Sequence, residues 1–260
     1  MKDHYSIIVL FFLLGISCTS EKKLSYLYIP QEAESQIFRM ALPDYKLQPR
    51  DILYITAKAI TPDGSIKDLL SSTPGGLELS YVQSESGGYL AGYEINTDGD
   101  IILPAIGKIN LVGLTINESR EKLEEKIRLV FKEVTVDCKL ISFKFTVIGE
   151  VRAPGNYLNY NNYLTVLEAI GRAGGIGDYG RRDKVLVVRS TKNGTTTYTL
   201  NLQNKNLLSS EAYYLLPNDI VIVEPEKHKI FNMNLPTLSF IITSAFSIFS
   251  TTLLLINYIQ

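Results

Sequence analysis

The 260-residue chain has no tryptophan, only two cysteines, two histidines and three methionines, and no excess of charge of either sign. Two cysteines, Cys18 and Cys138, cannot build a disulfide framework. Cys138 lies on the apolar side of the alternation Val134, Val136, Cys138, Leu140, as a small buried hydrophobe would. With 26 basic and 27 acidic residues, the formal charge is −1, which offers no electrostatic footprint for a nucleic-acid partner. His4 and His228 both lie close to apolar terminal stretches, so no Ser or Cys of the central region has an obvious imidazole base. Glu121, Glu124 and Glu125 interleave with Lys122, Lys126 and Arg128, the pattern of a solvated helix face and not of a catalytic carboxylate pair. Asn96, Asp98 and Asp100 alternate as in calcium loops but lack a distal bidentate Glu, so they read as a polar turn. No catalytic residue, metal or cofactor is assigned.

What is present is concentrated first at the two ends. Lys2, the apolar run Ile7 to Leu14 and the small residues before Cys18 form a secretory signal over residues 1–17, too short to span a membrane. Cys18 stands where cleavage would leave it first in the chain and open to acylation. Leucine falls at Leu14 and Gly15 takes the position usual for it, a looseness that resembles lipoproteins of the Bacteroidetes group. Residues 18–42 read as a tether. At the other end, no charged residue occurs from Ile230 to Gln260, and Lys227, His228 and Lys229 stand just before. Pro236 suits a first helical turn. A helix from Leu235 to Ile259 would extend about 37 Å, enough for a hydrocarbon core of about 30 Å. At 100° per residue, Ser239, Thr243, Ser244, Ser247, Ser250, Thr251 and Asn257 share one half of the wheel. Phe240 and Leu254 interrupt that arc, and Thr252 interrupts the apolar one. A one-sided hydroxyl stripe favours contact with neighbouring helices or a wet lumen over a lone anchor.

Between the ends lie two β-rich segments. In the first, Tyr45 to Ile55 is a turn followed by an alternating strand, and a Gly/Ser-rich stretch over 71–92 interrupts the domain. Tyr93 to Asn96 and Ile101 to Leu103 are expected to pair as a hairpin about Asp98-Gly99. Pro104 ends the return, a turn at Gly107 leads to a further strand, and Gly113 closes it. Thr115-Ile116-Asn117-Glu118 is a capping box for a helix with Ile116, Leu123, Ile127 and Val130 on one face. In the second segment, FTVIGEVRAPGNY contains Gly149 and a turn at Pro154-Gly155. A helix capped by Thr165 and Glu168 stops at Gly174-Gly175. These glycines follow a helix, whereas phosphate-cradling glycines precede one. Arg181 and Arg182 read as a solvated turn, with a contact to an anionic glycan or a neighbouring subunit as the alternative. A hairpin about Asn193-Gly194 and a last strand after Asp219 complete it. Strand-strand-helix-strand-strand around one helix looks like a β-grasp.

Tyr45, Leu47, Pro49, Asp51 and Leu53, with Tyr93, Asp98, Gly99, Leu103, Pro104, Ile106, Gly107, Gly113, Leu114 and Thr115, resemble the outer-membrane polysaccharide export family. Arg50 stands where that family usually has Gly. The string from Val147 through Gly149, Pro154 and Gly155 to Gly174-Gly175 is similar to the SLBB module, and Asn218 replaces its usual Gly before Asp219. The expected fold class is α+β. It comprises an export domain over 43–142, a β-grasp SLBB domain over 143–225 and a membrane-spanning helix over 226–260. The resemblance implies a homo-oligomeric outer-membrane conduit, lipid-anchored with its domains in the periplasm. Its partners would be a polysaccharide substrate, outer-membrane lipid and an inner-membrane polysaccharide co-polymerase. The rival expectation is a periplasmic glycan-binding or scaffold lipoprotein held by a single helix.

Overall fold

The computed structural model describes residues 25–28, 37–38, 42–60, 64–70, 92–131, 133–191 and 194–259. The signal segment, Cys18 and most of the Gly/Ser-rich stretch lie outside them. Strand β1 (Ile52–Ile60) alternates as its sequence requires, with Leu53, Ile55, Ala57 and Ala59 turned inward. It pairs antiparallel with β6 (Val134–Leu140), setting Ile55 opposite Cys138 and Ala57 opposite Val136. β2 (Ile66–Asp68) flanks the far end of β1.

The expected hairpin about Asp98-Gly99 is not what forms. β3 (Tyr93–Glu94) joins β1, with Ile52 opposite Glu94, while β4 (Asp100–Leu103) pairs with β5 (Gly107–Asn110). The reason is local: Arg50 N–H donates to the Ile95 carbonyl and Ile95 N–H to that of Asp51, so β1 claims the backbone of β3. The tight turn survives because the Asn96 side-chain carbonyl accepts from Asp98 N–H (3.0 Å) and Asp100 N–H (2.9 Å). Gly99 is required there, since φ is +86° and a Cβ would lie 2.4 Å from Val112 Cγ1.

Helix α1 (Ile116–Arg128) starts at the expected capping box and buries Ser119, Leu123 and Ile127. Val130 was expected on that face, but the helix has ended by then and its side chain is half exposed. Glu124 pairs with Arg128 on the wet face. Cys138 is buried in this core, and burial pushes its thiol up to about 12.

The second core sits under a five-stranded sheet in the order β10-β9-β11-β7-β8. β7 (Lys144–Gly149) and β8 (Gly155–Leu158) form a hairpin, β9 (Gly180–Thr191) and β10 (Gly194–Leu200) another, and β11 (Ile220–Pro225) runs parallel to β7. Helix α2 (Val166–Arg172) packs Val166, Ala169 and Ile170 onto Phe145, Val147, Val185 and Val187. Its stop is a two-bond glycine cap: Gly175 N–H reaches the Ile170 carbonyl and Gly174 N–H that of Gly171. Arg181 and Arg182 lie within β9, not in a turn. Arg181 pairs with Asp183, and Arg182 stacks over Tyr26.

Leu140 packs against both cores and links them through a three-residue connection. Helix α3 (Lys227–Ile259) runs 33 residues from the end of β11. It begins nine residues before Pro236, so that proline is interior and removes one backbone donor, not the start it was expected to mark.

Candidate functional site

Two turns of the same construction stand at the heads of β1 and β11. In Gln48-Pro49-Arg50-Asp51, Pro sets the first corner and Arg50 takes φ +75°. In Leu216-Pro217-Asn218-Asp219, Asn218 takes φ +69°. Each Asp N–H closes on the first residue's carbonyl at 3.1 Å, and each carboxylate accepts that residue's N–H at 2.8 Å. Arg50 therefore keeps the geometry that glycine would give. The match extends upstream, since Tyr45/Tyr213 and Leu47/Leu215 share the spacing and both leucines are buried. Leu47 N–H donates to the Leu114 carbonyl and Leu215 N–H to that of Leu164, each one residue before a helix-capping Thr. The turn precedes its helix in the first domain and follows it in the second. Sequence reading found each motif but missed this permuted repeat, although Tyr-x-Leu-x-Pro-x-Asp-Ile is legible at both places.

The two carboxylates are partnered differently. Asp219 is 1% exposed and held by Arg189 through both Nη2 (2.7 Å) and Nε (3.0 Å). Arg189 also donates to the Tyr214 carbonyl at 2.9 Å. Nothing in the sequence marks Arg189 as the partner, because the pairing of β9 with β11 alone brings it there. Asp51 accepts from the Tyr45 hydroxyl at 2.8 Å and, more loosely, from Ser142 at 3.4 Å. Burial raises the Asp51 carboxyl above its ordinary range, against the lowering effect of those bonds. Burial, reinforced by Asp51, lifts the Tyr45 phenol far above its own. Because the Ser142 hydroxyl also accepts from Ile52 N–H (3.0 Å), the Asp51 turn clamps the connection between the domains.

The other motif residues shape backbone and do not converge on one point. Tyr93 donates to the Leu70 carbonyl at 3.3 Å, and Asp98 supplies its carbonyl to Asn110. Pro104 is exposed at the β4–β5 turn, and Gly107 and Gly113 take positive φ. Gly149 has φ +93°, and a Cβ there would lie 2.1 Å from the Val223 carbonyl oxygen. Pro154 and Gly155 lead into β8.

The described part of the tether, residues 25–28, runs along the second domain. Leu27 and Tyr28 N–H groups donate to the carbonyls of Leu202 and Gln203 at 2.8 Å, and the Tyr26 hydroxyl accepts from Ile176 N–H. Helix α3 leaves from the same end, where Glu226 N–H meets the Tyr179 carbonyl and Lys229 pairs with Glu150.

Ser239–Ile256 is long and apolar enough to cross a membrane, and none of it is buried. Phe246, Ile248 and Leu254 are each about two-thirds exposed or more. Thr243, Ser244, Thr251 and Thr252 donate to carbonyls one turn back, at 2.7–2.8 Å. These hydroxyls are therefore satisfied inside the helix. The Asn257 side chain and Cys18 lie outside the described residues.

A cleft opens between the domains. Leu140 and Phe143 line it with the cap of α1, residues 161–163 and the second proline turn.

A profile for the polysaccharide biosynthesis/export protein family matches residues 40–140, and one for the SLBB domain matches residues 143–223. Among curated proteins, the chain is similar to the EPS I polysaccharide export outer membrane protein EpsA of Ralstonia solanacearum. The two are 32% identical over 145 residues, 54% of this chain and 38% of that protein. The corresponding protein of Ralstonia nicotianae is 31% identical over 147 residues, 55% of this chain and 38% of its own length. The chain thus aligns with under two-fifths of the length of these relatives. The matched segments and their order define the class: a polysaccharide-export domain followed by an SLBB domain. The chain belongs to the outer-membrane polysaccharide export family.

Proposed function

We propose that this chain is a non-catalytic subunit of an outer-membrane conduit for a capsular polysaccharide or exopolysaccharide. Cys18 carries the lipid, residues 18–42 tether it, and the export domain (43–142) and SLBB domain (143–225) stand in the periplasm as a homo-oligomeric ring. The SLBB domain is read as a β-grasp, supported by one helix over a mixed sheet with β7 and β11 parallel. The tail, 226–260, crosses the outer membrane. An inner-membrane polysaccharide co-polymerase delivers the polymer. Support for the export role comes from the matched domains and from relatives named as polysaccharide export outer membrane proteins.

The observation that carries the conduit is the uncovered apolar surface of α3. Exposed Phe, Ile and Leu of that extent need lipid or other helices around them. A helix ring is permitted in lipid because each helix bonds its own backbone. Within it, the face bearing Ser239, Thr243, Ser244, Ser247, Ser250, Thr251 and Asn257 is assigned to the lumen or to neighbouring helices. The rival, a scaffold or glycan-binding lipoprotein with a lone anchor, draws on the self-satisfied hydroxyls, which by themselves demand no partner. The combined variant Ser244→Leu, Ser247→Leu, Thr251→Leu separates the two. Surface polysaccharide should fall at least tenfold if that face lines a path, and normal export from a membrane-inserted variant would overturn the conduit.

A further inference from the structure

In the cleft between the domains, several of the described side chains converge without partners. Asn117 comes from the first turn of α1, and Asp44 from the approach to the first proline turn. Asn161, Asn162 and Tyr163 come from the loop after β8. Among the described residues, neither the three carboxamides nor the Asp44 carboxylate is committed to a side-chain hydrogen bond or ion pair. The loop that presents two of them is rigidly backed. Asn159, with no exposed surface, donates its side-chain amide to the Asn161 backbone carbonyl at 2.6 Å, and its side-chain carbonyl accepts from Arg172 at 3.0 Å. Arg172 also holds the Leu158 carbonyl at 2.9 Å and lies over the Phe145 ring. Tyr163 is 41% exposed while its ring edge meets Tyr214 at 6.2 Å between centroids, so it is fixed and open at once.

A carboxamide offers two donors and an acceptor, a match for neighbouring hydroxyls on a sugar ring. A fixed phenol ring offers a face for the C–H side of a pyranose. The described lining contains no Lys, Arg or His, and its one formal charge is negative, which disfavours phosphate, nucleotide or uronate ligands. A protein partner would need exposed apolar anchors, whereas the exposed residues of this lining, Asp44, Asn117, Asn161, Asn162 and Tyr163, are polar or carry a polar tip.

We propose that the cleft is a binding site for neutral pyranose units, with Asn117, Asn161 and Asn162 bonding hydroxyls and Tyr163 stacking on the ring. It rests on the export reading and adds a residue-level contact for the moving polymer. The site is built jointly by the two domains, so bound sugar also holds their relative orientation.

The test uses the full chain in detergent and oligosaccharides cut from the producing strain's own surface polysaccharide, split into neutral and anionic fractions. Titration calorimetry should show binding of the neutral fraction, weakened at least tenfold in Asn161→Ala/Asn162→Ala/Tyr163→Ala and much less in Tyr163→Phe. Unchanged circular dichroism of the triple variant confirms that its fold is kept. No binding of the neutral fraction, undiminished binding by the folded triple variant, or preference for the anionic fraction overturns the site. Export is scored separately in cells. A variant that exports normally yet has lost binding leaves the conduit standing and removes the site from its path. Binding by a chain that supports no export keeps the site and discards the conduit.

Discussion

Asp51 and Asp219 occupy the same turn but are partnered differently, because only Asp219 has a cation beside it. Asp219 and Arg189 are a buried pair, and removing one partner strands the other charge. Asp219→Ala is expected to cost about 3–5 kcal/mol, read by thermal or urea unfolding of the detergent-solubilised chain. Asp51 has its carboxyl raised by burial. The folded state therefore holds that proton more tightly than the unfolded state. Its contribution to stability is fullest below the ordinary carboxylate range and falls as pH rises from there through the raised value. Asp51→Asn should flatten that part of the stability-against-pH curve, and an unchanged slope would assign it to other groups. Gly149→Ala sets a methyl group against the Val223 carbonyl and should cost more than 2 kcal/mol, of the order of overpacking and positive-φ strain together.

At the scale of elements, much was legible from residues. The capping boxes at Thr115 and Thr165, the glycine stop at Gly174-Gly175 and the alternation of β1 and β6 are local signals, and each formed where its chemistry placed it. Thr165→Ala should cost about 1 kcal/mol, through loss of the bond from Glu168 N–H, as measured by the unfolding midpoint. What failed was pairing and length. Tyr93 to Asn96 reads as half of a hairpin, but β1 competes for its backbone with donors that lie more than 40 residues upstream. Pro236 reads as a start, but the preceding turn of helix is built by residues that carry no stronger stop signal. Arg189 was invisible because a buried cation looks like any strand residue until its partner strand is known. The cleft was invisible for the same reason, since Asn117 and Asn161 meet only through the fold.

For the whole molecule, the described part of the N-terminal segment and the start of α3 both contact the second domain. The strap from Ser25 to Tyr28 and the base of α3 flank the segment from Ile176 to Gly180. The first domain is joined to the second through Leu140 and the Ser142 clamp. Tyr26→Ala removes both the stack with Arg182 and the bond from Ile176 N–H. It should speed proteolysis of the N-terminal segment while leaving the two cores intact, as limited digestion followed by mass analysis would show. The proposed conduit further requires that subunits close into a ring, with the apolar surface of α3 covered by lipid outside and by neighbouring helices at its sides. The direct measurement is the mass and symmetry of the full chain extracted in mild detergent, by electron microscopy of single particles. A closed ring with cyclic symmetry, its α3 helices gathered at one end, is the predicted result. A monomer with α3 intact would contradict it.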